Sequence, residues 1–532
     1  MRGRTRRSTA LALVAACTAT IAGPGMAPPG SAQTPGSTLN RPVDPVVLTG
    51  AQVTELVGVA PNRVVAFAAS STGWTQVPVQ VDERKDTTMA AVYNLPTTQT
   101  FYGSSINVPV NVYADAGTFT GADTDADVDA DDEIAFMASD AGGPRGALAA
   151  PAGTTGQPIE VKLDDPLATG TVGYVYLFDS NGTLAPGAGK RYVDYQFRLN
   201  SGDYKTTYER TDGPNPENST ITGTSYNIHF ADRWTMDGLT LTKGSKPTVD
   251  ILDRAKYDIQ ALCLRNEDTF NDEEGAFVVN RSGPVRAIRS YVGANSGPNT
   301  QNTHVFYENV VDTTTNLRVH AIPNVRSHLD LNREAYGMTL RTPQAPDGVP
   351  VDGVPDALGS GTPTWWTYQG PQGGLALSAK YDVNATAPPV IWNEDDTTPT
   401  DWQCTGDAEA VGDTGAFFNQ WINCTDPGTG CTEKLTGTFR VVATGATTPA
   451  ELQRLANHFQ QPLRATVNGR GGGDPQPTEC FTAVNSAHVT AGRAASFLVW
   501  AWAAGSGTYI GLTTDTTSLR RSGANWTLVA SC

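Results

Sequence analysis

The familiar catalytic fingerprints are missing from these 532 residues. There is no G-x-S-x-G elbow and no alternation of strand and helix patterns, which excludes an α/β-hydrolase. Neither a Walker A loop nor a dinucleotide fingerprint is present, so no organic cofactor is expected. The chain has no H-E-x-x-H and no C-x-x-C pair, which removes the commonest zinc sites. Charged residues make up only 17%. The formal net charge of −17 and a pI of about 4.8 argue against binding to nucleic acid or to anionic membrane. No run approaches the roughly 20 apolar residues needed to cross a bilayer.

What is abundant is turn and strand chemistry. Gly (54) and Pro (35) are frequent, alongside much Thr, Val and Ala, a composition that favours strands joined by turns over helices. We expect an all-β, mostly antiparallel chain. The length suggests two or three domains.

Residues 1–32 read as an export leader. Arg2, Arg4, Arg6 and Arg7 form a basic start, Thr9–Ala22 is apolar, and Gly30-Ser31-Ala32 offers small residues for cleavage before Gln33. Secretion is the expectation. Val14-Ala15-Ala16-Cys17 also resembles a lipobox, and Arg6-Arg7 resembles a twin-arginine signal. Beyond the leader stand Cys263, Cys404, Cys424, Cys431, Cys480 and Cys532, an even count that suggests three disulfides.

An N-terminal β-domain is expected over 41–166. Val77, Val79 and Val81 alternate with polar neighbours, and Val64–Ala68 and Ile106–Tyr113 are further strand candidates. Within it, Gly121–Asp140 is the densest acidic stretch. Asp123, Asp125, Asp127, Asp129, Asp131 and Glu133 offer the oxygen-rich spacing of a structural calcium site. The stretch lacks the Gly and Glu of an EF-hand loop, and a solvated acidic loop would look the same.

The main domain is expected over 172–461. At its centre Val285–Val292, His304–Val311 and Asn316–Ile322 read as strands, the last two joined by Asp312–Thr315. Alternation gathers Arg318 with His320, His304 with Glu308, and Arg289 with Tyr291, over an aliphatic layer that includes Leu317 and Val319. With His328 this concentrates three of the six histidines beside Arg, Tyr and acidic groups. The expectation is a polar cleft for proton chemistry on an extracellular polysaccharide. In β-elimination His320 or His304 is the base, Tyr291 or Tyr307 the acid, and Arg318 or Arg289 the charge stabiliser. Tyr307 is the weaker acid because it alternates away from His304. Hydrolysis instead needs two carboxyls, for which Glu308 and Asp330 come first, then Asp237, Glu267 and Asp268. A zinc ion on His304, His320 and His328 fits no known ligand spacing. The same cluster would also arise as a structural ion network. Trp234, Trp365 and Trp366 are candidate sugar platforms, one of the adjacent pair facing outward. A non-catalytic glycan-binding or adhesion protein using them is the alternative.

Gly283-Pro284-Val285-Arg286, the long antiparallel runs and the Trp366–Gly374 hairpin loosely resemble the mutarotase-like supersandwich of many polysaccharide lyases and hydrolases. That resemblance implies a large β-sandwich over 172–444 and assigns no catalytic residue. Thr448-Pro449-Ala450-Glu451 starts a short helix, with Leu452, Leu455 and Phe459 packing, ending before Pro462. His458 is expected to be an ordinary helix-face residue. A Gly/Pro linker follows at 467–479. The last 53 residues, CFTAVNSAHVTAGRA and the later AAGS, IGL and TSLR, resemble a small module appended to secreted bacterial depolymerases and hydrolases. The resemblance implies a Cys480–Cys532 bridge and structural roles for His488 and Arg493. The remaining four cysteines allow three connectivities. The close pair Cys424 and Cys431 suggests a closed turn, which leaves Cys263 with Cys404.

Overall fold

The computed structural model describes residues 36–532 except 102, 208–215, 235, 247, 261, 266–274, 294–296, 384–386, 400–402, 406–407, 425–430, 434, 446, 470–479, 523–524, 530 and 532. The expected leader with Cys17, Glu267, Asp268, most of the expected linker and Cys532 lie outside the described residues. Among those described, the protein is all-β and mostly antiparallel, as expected.

In the N-terminal part, a three-stranded sheet (Pro45–Thr49, Glu133–Met137, Gln80–Asp82) faces a five-stranded one. Alternation explains the pairing. Val46, Leu48, Ile134 and Phe136 meet Val64, Ala66, Val161, Leu163, Val175 and Leu177 in one core. The five-stranded sheet takes in Val172–Ser180, expected from sequence in the main domain. Its edge strand is Arg464–Asn468, whose last two residues were expected in the linker.

The main part is built on a nine-stranded sheet with Ala287–Val292, Gln301–Phe306, Val310–Leu317, Leu435–Thr444 and Gly373–Val383 at its centre. Two further sheets pack with it. One has four strands, Asp194–Gln196, Ser219–Thr222, Tyr226–Phe230 and Met236–Leu241. The other has six, ordered Val390–Asp396, Ala410–Phe418, Val325–Leu331, Leu252–Gln260, Leu264–Arg265, Gln403–Thr405.

One expected turn is displaced. Asp312–Thr315 lies inside a strand, because Asp312 pairs with Arg440 at 2.6 and 2.7 Å and Thr314 bonds Thr438 at 3.0 Å across it. The chain reverses earlier, at Glu308-Asn309, where the Tyr307 amide donates to the Val310 carbonyl. Ala345–Pro350 is an edge strand on Thr339–Thr342.

The helix Pro449–Gln460 forms as expected, with the Glu451 amide donating to Thr448 Oγ1 at 3.2 Å. Such a cap contributes about 1 kcal/mol. Leu452, Leu455 and Phe459 are buried, worth about 1.5–3 kcal/mol each. His458 is buried too, its Nδ1 meeting Asp44 at 2.9 Å. Arg286 likewise reaches Asp82 and Glu133, both at 2.7 Å, and ties the main sheet to the N-terminal strands. Cys263 and Cys404 form a disulfide. Cys424 and Cys480 are disulfide-bonded as well, and Cys424 lies opposite Cys431 in a two-stranded ladder. Two shorter helices, Met89–Val92 and Asn485–Thr490, were not foreseen.

Candidate functional site

The expected trough does not assemble. Its side chains lie in four settings, and the first is sealed. Arg289 and His304 are cross-strand partners with Tyr291 on the same face, as alternation required. That face is covered by the four-stranded sheet. Arg289 is fully buried in a bidentate pair with Glu217 (2.5 and 2.9 Å), over the Phe230 ring at 4.2 Å. Tyr291 accepts from Asn302 Nδ2 at 2.9 Å, so its hydroxyl donates to His304 Nε2 at 2.9 Å. His304 Nδ1 then donates to Thr313 Oγ1 at 2.8 Å. Burial, followed by the Arg289 charge, pushes the imidazole down to about 3. His304 is therefore neutral and 4% exposed, and has no route to substrate. Trp234 seals this layer from another side, edge-on to Tyr291 at 4.9 Å, with Nε1 donating to the Gly293 carbonyl at 2.6 Å. Trp366, 1% exposed, is core, while Trp365 is half-buried.

In the second setting, Glu308 is buried beneath the hairpin turn, where it takes Lys190 and the Thr224 hydroxyl. Arg318 and His320, the third, follow the end of their strand. The Arg318 guanidinium donates to the Asn299 carbonyl at 3.1 Å, and burial lowers it to about 10. His320 is exposed.

His328 occupies the fourth setting, on a face the sequence reading did not assemble. In the six-stranded sheet, Tyr257, Ile259, Val325, Ala416 and Phe418 point into the core. Alternation therefore puts Arg254, Lys256 and Asp258, then Arg326, His328 and Asp330, then Asp413 and Phe417, then Trp392 and Glu394 on the other face. His328 Nδ1 donates to Asp413 at 2.6 Å and Nε2 donates to Asp258. Gly415 stands opposite, where a side chain would run into Ser327 and the His328 backbone. Burial alone would lower this imidazole, but Asp258 and Asp413 outweigh it and hold it up to about 10. His328 is thus a fixed positive charge at neutral pH with both N–H groups engaged, neither a base nor a zinc ligand.

Beside it, Lys256 Nζ donates to Asp330 at 2.6 Å, and the Val411 amide donates to the other Asp330 oxygen at 2.9 Å. Burial and then the negative charge of Asp413 still raise the Asp330 carboxyl well above the carboxylate range. Asp330 borders a cavity of about 320 Å³ together with Asp253, Arg333, Glu334 and Glu409. Asp253 Oδ2 lies 3.9 Å from the same Lys256 ammonium and has no hydrogen-bond partner. At the far edge the Arg326 guanidinium lies over the Trp392 ring at 3.6 Å, next to Phe417. This face was within reach of sequence: Arg254–Ile259 and Arg326–Leu331 place a charged residue at every second position, a strand signal.

Of the expected calcium ligands, Asp123 alone belongs to a tight cluster, joined by Asp132 and by Glu83, which the sequence reading did not name. Their oxygens lie within 4.8 Å of one another. The stretch 121–132 is not a strand, so alternation does not align its carboxylates. Asp125 and Asp127 are exposed, and Asp131 accepts from Asn111. The Asp129 carboxyl rises to about 6 through Asp131. Glu133 is committed to Arg286 and the Tyr113 hydroxyl at 2.7 and 2.8 Å.

No protein-family model matches the chain, and no curated protein does. Among solved structures, HI1317 is similar at 8% identity and a TM-score of 0.25, covering 47% of this chain and 99% of its own. A putative aldose 1-epimerase from Escherichia coli is similar at 9% identity and a TM-score of 0.24, covering 42% and 98%. Likenesses this weak bear on no residue's role. Among the described residues, no helix is long and apolar enough to cross a membrane.

Proposed function

We propose that the protein is a secreted enzyme that breaks an extracellular polysaccharide by hydrolysis in the Asp330 cavity. The observation that carries this reading is a buried carboxyl, made less acidic by burial and by Asp413, that borders a cavity beside a second carboxylate. Asp330 is the proton donor to the glycosidic oxygen. Asp253, with a free oxygen across the Lys256 ammonium, is its carboxylate partner, and glycosidases need such a pair. His328 holds a positive charge on the face at neutral pH without exchanging protons. Elimination by His304 is disfavoured, since that imidazole is sealed. Export is supported by the leader pattern and the Cys263–Cys404 bridge.

Purified protein is incubated with a panel of soluble and insoluble polysaccharides while reducing ends and unsaturated-uronate absorbance are followed. Reducing ends without ultraviolet absorbance are expected. Absorbance would turn the reading to a lyase, and retention on a glycan with neither product would turn it to the non-catalytic alternative.

Calcium has a structural place in this proposal, at Glu83, Asp123 and Asp132. Both Glu83 oxygens are buried without a hydrogen-bond partner. Burial, then Asp132 and Asp123, raises its carboxyl to about 7. Its folded value lies above its unfolded 4.5, so stability is lost as pH rises from 4.5 through 7. Metal-free protein should melt lower at pH 8 than at pH 5.5, and calcium should narrow that gap. A gap that calcium leaves unchanged would count against the site.

A further inference from the structure

We infer that one face of the C-terminal module is a stacking platform for a linear, uncharged glycan chain. The module contains a three-stranded sheet, Ala494–Phe497, Trp500–Ala503 and Tyr509–Leu512. Its inward side chains, Ala494, Ala501, Ala503 and Ile510, pack with Leu519 and Trp526 into the module's core. Of the outward ones Phe497, Trp500, Tyr509 and Leu512 are large, apolar and exposed, and Trp502 is half-buried. Phe497 stands opposite Trp500, Trp500 opposite Leu512, and Trp502 opposite Tyr509. Phe497 is 68%, Tyr509 51% and Trp500 42% exposed. The turn before Trp500 holds Leu498 at φ +54°, a left-handed conformation that a bulky side chain adopts at a cost, and leaves it 74% exposed.

Three features choose the occupant. These strands, AASF, WAWA and YIGL, contain no ionisable carboxylate or basic side chain. The adjacent Arg493 is turned inward, bonding His488 Nδ1 at 2.9 Å and lying over the Phe481 ring at 4.3 Å. These strands offer a polyanion no cation to hold it, and the module's exposed Arg520 and Arg521 stand on a different sheet. Second, the outward residues are mainly planar aromatics, which match the flat C–H face of a sugar ring while its hydroxyls stay in water. Third, the patch is small. At roughly 200 Å² per large side chain, the exposed parts of Phe497, Leu498, Val499, Trp500, Tyr509 and Leu512 total about 650 Å². That falls short of the about 800 Å² each partner of a stable dimer buries. A narrow chain fits the patch where a second copy of this protein does not.

This inference rests on the reading that the partner is a glycan, but not on the Asp330 cavity. Full-length protein is sedimented with microcrystalline cellulose, chitin, starch granules, calcium-alginate beads and a polyester powder. The wild type should be retained on at least one neutral glycan. The variant carrying Trp500→Ala and Tyr509→Ala should bind it at least tenfold more weakly with an unchanged melting temperature, while Asp330→Asn binds as wild type. Retention on no neutral glycan would overturn the platform, as would tighter retention on alginate or polyester or equal binding by the double variant. A dimer in sedimentation velocity that Trp500→Ala dissolves would assign the face to self-association and overturn it too. Loss of hydrolysis in Asp330→Asn with binding intact separates the two sites.

Discussion

The layer around Arg289, Tyr291 and His304 and the face around Lys256, His328 and Asp330 use the same ingredients. Each sets basic and imidazole side chains at alternate positions of neighbouring strands, where acidic groups meet them. Their surroundings make them opposites. Phe230, Trp234 and Glu217 close over the first, so His304 is driven down to about 3 and stays neutral. On the second, two carboxylates clamp His328 as a cation near 10, and Asp330 borders a cavity. A polar strand face becomes a working face through what covers it and which charges meet on it.

The comparison can be broken from its structural side first. Glu217→Ala would leave the Arg289 guanidinium buried and unpaired, costing about 3–5 kcal/mol. Urea unfolding should show that loss, and activity per folded molecule should survive. A neutral effect on stability would mean the layer is open to water.

The two histidines should next separate by pH. His328 has its folded value raised from 6.5 to about 10, so its contribution is complete below 6.5 and disappears as pH rises toward 10. His304 is lowered from 6.5 to about 3, so its contribution is present above 6.5 and disappears as pH falls toward 3. Melting temperature should drop on both sides of neutrality, and His328→Gln should flatten the alkaline limb while sparing the acid one. An unaltered alkaline limb would remove the clamp from the account. The smallest effect is expected at His320, which is exposed. His320→Ala should leave turnover and melting within error, and a large loss of turnover would restore the loop after Leu317 to the site.

Much of this was legible in the chain. Composition pointed to the all-β class, Thr448-Pro449 marked the helix, and alternation correctly grouped Arg289, Tyr291 and His304. What alternation cannot report is the cover. Phe230 comes from a different sheet and Glu217 from the segment leading into it, 59 and 72 residues before Arg289 in sequence. The hairpin turn was misplaced because polar Asp312–Thr315 looks like a loop until Arg440 and Thr438, more than a hundred residues later, supply its cross-strand partners. The charged face lay in plain view as alternation in Arg254–Ile259 and Arg326–Leu331, but only the sheet order puts Asp413 beside His328.

The most direct test is the rate of reducing-end release by Asp330→Asn on the best glycan from the panel, beside His320→Ala and wild type. The substituted carboxamide keeps the shape and can accept from the Val411 N–H, but it supplies no acidic proton. A fall of about 10²–10⁴-fold is expected, with melting within a few degrees of wild type. Turnover equal to wild type would move the chemistry off this face.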